Sequence, residues 1–227
     1  MKKMAKRMIS LSLTALLLFC FTACGSDGSQ GGDGTNGGSN TETITEGTEG
    51  LVFQSNYNGS ECFVSDYTGS ETNVVIPTVY KGLPVTGIGE HAFSQIYIEA
   101  KIESIYIPNS IRYIGDEAFE GCRKMTEIDI PDSVTTIGEE AFMFCESLTS
   151  VKISSSVTSL GRKAFGECVS LKEITIPASV RDVDAECFYH CENLTDIYCE
   201  APMEPSTWSK YWREDMPSTV QVHWDCN

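Results

Sequence analysis

Between Ile107 and Tyr198 one 23-residue unit is written four times without a gap: IPNSIRYIGDEAFEGCRKMTEID, IPDSVTTIGEEAFMFCESLTSVK, ISSSVTSLGRKAFGECVSLKEIT and IPASVRDVDAECFYHCENLTDIY. Three columns keep the period: Ile107, Ile130, Ile153 and Ile176; Phe119, Phe142, Phe165 and Phe188; Cys122, Cys145, Cys168 and Cys191. Self-similarity at a period of roughly 20 to 50 residues marks a stacked-repeat architecture. One such unit cannot close a core alone, so its apolar edge is buried only when the next unit stacks on it.

The unit has a physical reading. In L-x-x-I-x-I the last apolar positions alternate, as a half-buried strand requires; Leu148, Val151, Ile153 and Leu171, Ile174, Ile176 are examples. The proline that follows removes a backbone donor and ends the strand. Ser133, Ser156 and Ser179 are expected to favour a turn through local side-chain hydrogen bonds. Gly115, Gly138 and Gly161 mark a sharp bend or a close backbone approach. The A-F-x-x-C segment is expected to turn one face of a short helical or 3-10 turn inward. The fold class that follows is a β-rich solenoid with short strands and short helical turns.

Around the perfect repeats the pattern loosens. Residues 76–106 form an imperfect first unit, with extra residues around Tyr80–Pro84 and after Phe93, and Ile96 in the Cys slot. Five coils over 76–198 result. Residues 51–75 alternate apolar and polar residues around Asn58-Gly59, a hairpin signal; a β-hairpin cap packing Leu51, Phe53, Phe63 and Val64 over the first coil is expected. Residues 199–227 hold Trp208, Trp212 and Trp224 and lose the period. They cover the open end of the last coil or, read functionally, offer aromatic platforms for sugars.

Residues 1–23 combine Lys2, Lys3, Lys6 and Arg7 with a short apolar run from Leu11 to Phe21, the plan of a secretory signal. Phe21-Thr22-Ala23-Cys24 resembles a bacterial lipobox, with Phe21 where leucine is usual. The resemblance implies a diacylglyceryl group on Cys24, cleavage before it and a membrane anchor. Without it, a cut after Ala23 leaves Cys24 a free thiol. Residues 24–50 are otherwise rich in Gly, Ser and Thr and read as a flexible linker, with an r.m.s. span of roughly 28 Å.

Charge excludes some partners. Four of the 16 basic residues and none of the 32 acidic ones precede Cys24, so cleavage changes the net charge from −16 to −20. Nucleic-acid binding rests on neutralising phosphates with Lys and Arg, and no such surface is available. Four of the ten cysteines share one repeat position and read as a packing column rather than a disulfide framework. Cys187 and Cys199 occupy core positions of the unit, and a Cys199–Cys226 bridge closing the C-terminal cap is one option.

The run SVTxIGxxAFxxCxxLTxIxIP resembles the BspA-like leucine-rich repeat of bacterial surface proteins, over about residues 74–198. The first unit and the ending EAPMEPSTWSKYW…VHW resemble that family's start and C-terminal cap. The resemblance implies a leucine-rich-repeat solenoid of the α/β class, curved and right-handed, with a parallel sheet on the concave side. It also implies cell-surface binding or adhesion rather than catalysis, and it carries no fixed site residues.

Strand alternation then names the outward columns of that sheet: Ser104, Glu127, Ser150, Glu173, Asp196, and Tyr106, Asp129, Lys152, Thr175, Tyr198. Tyr106, Glu127, Asp129, Lys152, Glu173, Asp196 and Tyr198 are the candidate binding residues, for a protein or glycan partner. The same residues also suit a merely solvated sheet face. Glu127 and Asp129 lack the loop a Ca²⁺ site needs. His91, His190 and His223 are scattered, and no catalytic, metal or cofactor motif is legible, so no enzyme, metal or cofactor is expected. Two readings follow: a lipid-anchored module displayed at the cell surface to bind a protein or glycan, or a structural lipoprotein that organises partners inside the envelope.

Overall fold

A computed structural model describes residues 43–96, 99 and 101–226. The expected signal peptide, the expected lipidation site Cys24 and most of the expected linker lie outside those residues. One face carries seven short strands in succession: Asn73–Val75, Ser104–Tyr106, Glu127–Asp129, Ser150–Lys152, Glu173–Ile176, Asp196–Cys199 and Gln221–Trp224. They pair in parallel and in register within three groups: the first two strands, with Asn73 beside Ser104; the next two, with Ser150 beside Glu127; and the last three, with Glu173 beside Asp196 and Asp196 beside Gln221. These are the L-x-x-I-x-I segments, and their inward residues Ile128, Ile174 and Ile197 are buried.

A second face carries the S-V-x-x-I-G segments. Tyr113–Ile114, Thr136–Ile137, Ser159–Leu160 and Asp182–Val183 pair in parallel and continue a sheet that begins with Leu51–Ser55, Cys62–Tyr67 and Leu83–Ile88. The insertion in the first unit is a small hairpin of Val79–Tyr80 against Leu83–Ile88. Lys81 and Gly82 turn it with φ of 49° and 81°.

The third side departs from expectation. Among the described residues no helix forms, and A-F-x-x-C is a run of turns. Glu117, Glu140, Lys163 and Glu186 hold left-handed φ values of 54°, 53°, 51° and 57°, which a right-handed helix cannot include. Their backbone donors serve the stack instead. The N–H of Phe119 donates to the Ala141 carbonyl and that of Phe142 to Ala164, both at 2.8 Å. The serine expectation also needs correction. Backbone bonds close each turn, as from Val134 N–H to the Pro131 carbonyl (3.0 Å), while the Ser179 hydroxyl reaches the Val157 carbonyl one coil back (2.7 Å).

The core is a set of columns. Phe93, Phe119, Phe142, Phe165 and Phe188 stack face to face with centroids 5.3, 5.1, 5.3 and 5.9 Å apart. Offset stacking of this kind contributes about 0.5–1.5 kcal/mol per pair beyond area burial. The repeat glycine is required by close approach: a Cβ on Gly138 would sit 2.7 Å from the Gly115 carbonyl carbon, and one on Gly161 2.5 Å from that of Gly138.

Both ends are closed. Leu51–Ser55 and Cys62–Tyr67 form the antiparallel hairpin, with Val64 buried and Leu51 and Phe53 packed against the core. Order reaches further back than composition suggests: the Ile44 carbonyl accepts from Thr78 N–H (2.8 Å) and the Thr48 N–H donates to Val75 (3.0 Å), so the linker's last residues lie along the first coil. At the other end Trp212 meets Phe188 edge-on at 6.4 Å, and Trp208 packs on Trp212 at 5.0 Å. Trp208 and Trp212 are buried, which removes them as sugar platforms. Cys199 and Cys226 are free thiols, linked only through Cys226 N–H and the Cys199 carbonyl (3.1 Å).

Candidate functional site

Within each paired group of the seven-strand face the strands stay in register, so their outward residues fall into two columns. One runs Glu127 and Ser150, then Glu173, Asp196 and Gln221; the other runs Asp129 and Lys152, then Thr175, Tyr198 and His223. Tyr106 lies beside Val75 at the other end of the second column, half exposed at 51%. The cap strand Gln221–Trp224 adds a further rung beside Asp196–Cys199.

The candidate residues do not converge on one point. Tyr106 and Tyr198 are separated by three intervening rungs, Asp129, Lys152 and Thr175, a distance of roughly 19 Å at the usual strand spacing of about 4.8 Å. Two centres result. At the first, Tyr106, Asn109, Asp129, Asp132 and Lys152 line an open cleft of about 300 Å³ floored by Ile105, Ile107 and Ile130. Lys152 Nζ lies 3.3 Å from Asp129 Oδ1, and both side chains are more than two-thirds exposed. Such a pair contributes little to stability, so both ends stay available to a partner.

At the second centre the Tyr198 and His223 rings stack at 4.9 Å with 15° between their planes. His223 Nε2 lies 2.7 Å from Asp196 Oδ1. That hydrogen bond holds the Asp196 carboxyl below its usual range. The Asp196 charge, with burial and Glu173 behind it, pushes the Tyr198 phenol up. A flat aromatic pair edged by carboxylates suits the apolar face of a sugar ring or a cationic side chain. Sequence reasoning missed His223 because the last strand follows Asp196 after 25 residues, not 23. The alternation in Gln221-Val222-His223-Trp224 was the available signal.

A third cluster lies on the turn side. His91, which the sequence leaves apart from the other histidines, joins Glu117 and Glu120, and the three bring one ligand atom each within 4.8 Å of one another. Burial, reinforced by the Glu117 carboxylate, pushes Glu120 up to about 7.

The comparisons with known proteins agree with this architecture. The model of the BspA type leucine rich repeat region matches residues 86–205 in six copies. The fold is similar to that of the T. pallidum leucine rich repeat protein, with a TM-score of 0.68 and 23% identity over 80% of this chain and 82% of that one. It is also similar to a leucine rich cell surface protein of Faecalibacterium prausnitzii A2-165, with a TM-score of 0.62 and 25% identity over 82% of this chain and 56% of that one. Among curated proteins none matches the chain.

Proposed function

Because the chain belongs to the BspA type leucine rich repeat family, we propose that it is a lipid-anchored, non-catalytic module that binds a protein or glycan partner at the cell surface. The observation that carries the reading is the outward strand face. Its columns contribute nothing to the core, yet they hold an exposed Tyr106 beside the Asp129–Lys152 pair and a Tyr198–His223 stack braced by Asp196. Residues that neither pack nor pair strongly are the ones a solenoid uses for recognition. The acidic surface favours a basic or sugar-bearing partner over an anionic one. Display at the surface is supported by the description of the F. prausnitzii neighbour as a cell surface protein, and the tether by the Cys24 motif.

The test is capture by the immobilised chain from fractionated surface proteins and from a glycan array, repeated with Tyr106→Ala and Tyr198→Ala. Loss of a captured ligand in either variant supports the face. Equal capture by both variants would remove it. Proteolysis of intact cells checks display: a chain that survives shaving is not at the surface.

A further inference from the structure

Outside the strand face, the turn side of the coils carries a ladder of charged residues at the position two after the repeat glycine. Its members are His91, Glu117, Glu140, Lys163 and Glu186. Most acidic members find a cation. Glu140 pairs with Arg162 at 3.2 Å, Glu186 with Lys163 at 3.2 Å, and Glu139 also with Arg162. Glu117 instead faces His91 Nδ1 at 3.1 Å.

The position three residues further along the turn sharpens the contrast. It holds Ser94, Glu120, Met143, Gly166 and Tyr189 in successive coils. Glu120 alone puts a carboxylate there, and only 8% of it is exposed. Among the described residues no lysine or arginine reaches it; its hydrogen-bond partner is the Ser94 hydroxyl at 3.5 Å, the outer limit for such a bond. A buried carboxylate that faces a second carboxylate and an imidazole either holds a proton or is matched by a positive charge, and a bound cation supplies the latter.

We infer that His91, Glu117 and Glu120 bind a divalent first-row transition metal ion, with Zn²⁺ the ion that suits this donor set. One nitrogen and two carboxylate oxygens are the ligands Zn²⁺ takes, at about 2.0–2.2 Å, which places neighbouring tetrahedral ligands about 3.3–3.5 Å apart. The 3.1 Å between His91 Nδ1 and Glu117 Oε2, and the 4.8 Å limit on the set, close to that spacing with small side-chain movements. The other His91 nitrogen, Nε2, lies 3.4 Å from Glu90 Oε1, the kind of carboxylate contact that orients a metal-binding imidazole. Backbone bonds hold the donors on two adjoining coils: His91 N–H to the Asp116 carbonyl (3.0 Å) and Gln95 N–H to that of Glu120 (2.7 Å). The His91 side chain is half exposed, which gives an ion a path from solvent. Three protein ligands leave one position for water or for a donor from a partner.

Calorimetric titration of the full chain with ZnCl₂ tests this, using His91→Asn and Glu120→Gln. Asparagine tolerates the φ of 55° at position 91, so that variant keeps the fold. Zn²⁺ is expected to bind one site per chain, to raise the melting temperature, and to bind each variant at least about tenfold more weakly. His190→Asn, which alters the separate His190–Glu167 pair, is expected to change nothing. Ca²⁺ and Mg²⁺ are expected not to compete, since imidazole suits neither. Absence of Zn²⁺ binding at about 100 µM, or undiminished affinity in His91→Asn, overturns the assignment.

Discussion

The thiol of Cys122 donates a hydrogen bond to the carbonyl of Phe93, one coil back, at 3.3 Å. The contact repeats from Cys145 to Phe119, Cys168 to Phe142 and Cys191 to Phe165, at 3.3, 3.3 and 3.0 Å. Cysteine thus fills this column as a small apolar side chain that can still satisfy the carbonyl left by the neighbouring turn.

That column predicts alkaline unfolding. Burial pushes the Cys191 and Cys199 thiols up to about 12 from an ordinary 9.0 and also raises those of Cys122, Cys145, Cys168 and Cys187. Each keeps its proton in the folded coil and loses it in the unfolded chain above pH 9.0, so the stability is complete below that pH and drains as pH rises towards the folded values. One such group is worth about 1.4 kcal/mol per pH unit. The losses of the six act in the same direction, so together they make the fold sensitive to alkali. Circular dichroism is expected to show cooperative unfolding between about pH 9 and 11, with a shallower dependence in Cys168→Ala. At pH near 8 an alkylating agent is expected to label the half-buried Cys226 before the seven buried thiols of the described residues.

The repeat glycine gives a sharper mutational test. Gly138→Ala places a methyl 2.7 Å from the Asp116 backbone nitrogen and the Gly115 carbonyl carbon, where only movement of one coil against the next can make room. Overpacking against side chains costs about 1–3 kcal/mol, and backbone yields less, so a loss of about 3 kcal/mol or more is expected in urea unfolding. Gly82→Ala is the control. It meets nothing within 4 Å but has a φ of 81°, and the conformational penalty alone is about 1–2 kcal/mol.

Much of this was legible in advance, for a definite reason. Two core columns repeat one residue type every 23 residues, so Phe119 to Phe188 and Cys122 to Cys191 announce themselves as buried. The outward columns follow by alternation, since Glu127 and Asp129 flank the inward Ile128. What stayed hidden depends on contacts across coils of unequal length. His91 reaches Glu117 across the irregular first unit, and His223 reaches Tyr198 from a strand that has lost the period. The turn conformation was also hidden, because left-handed φ at Glu117, Glu140 and Glu186 has no signature in residue type.

Asp196 and His223 predict a dependence on acid. The hydrogen bond from His223 lowers the Asp196 carboxyl below its ordinary 3.8, so the stability it contributes is present above 3.8 and is lost as pH falls through the folded value. The difference in unfolding free energy between the parent chain and Asp196→Asn is therefore expected to be constant above about pH 5 and to shrink below 3.8. His223→Gln removes the first cause of the shift. Carboxyl NMR titration of that variant is expected to return Asp196 towards its ordinary range.

Tyr106 and Tyr198 test whether the strand face acts as one site or two. They stand in one column with Asp129, Lys152 and Thr175 between them, roughly 19 Å apart at the spacing of strands, well beyond the 7–10 Å within which substitutions couple. Each tyrosine has its own surroundings, a cleft beside the Asp129–Lys152 pair for Tyr106 and the His223 stack for Tyr198. A ligand long enough to lie along the column touches both, and the binding losses of Tyr106→Ala and Tyr198→Ala are then expected to add in the double variant within about 0.5 kcal/mol. A compact ligand such as a short glycan touches one, and the double variant is then no weaker than the more damaging single one. Titration of a captured ligand against the four chains, parent, two singles and double, separates the two cases.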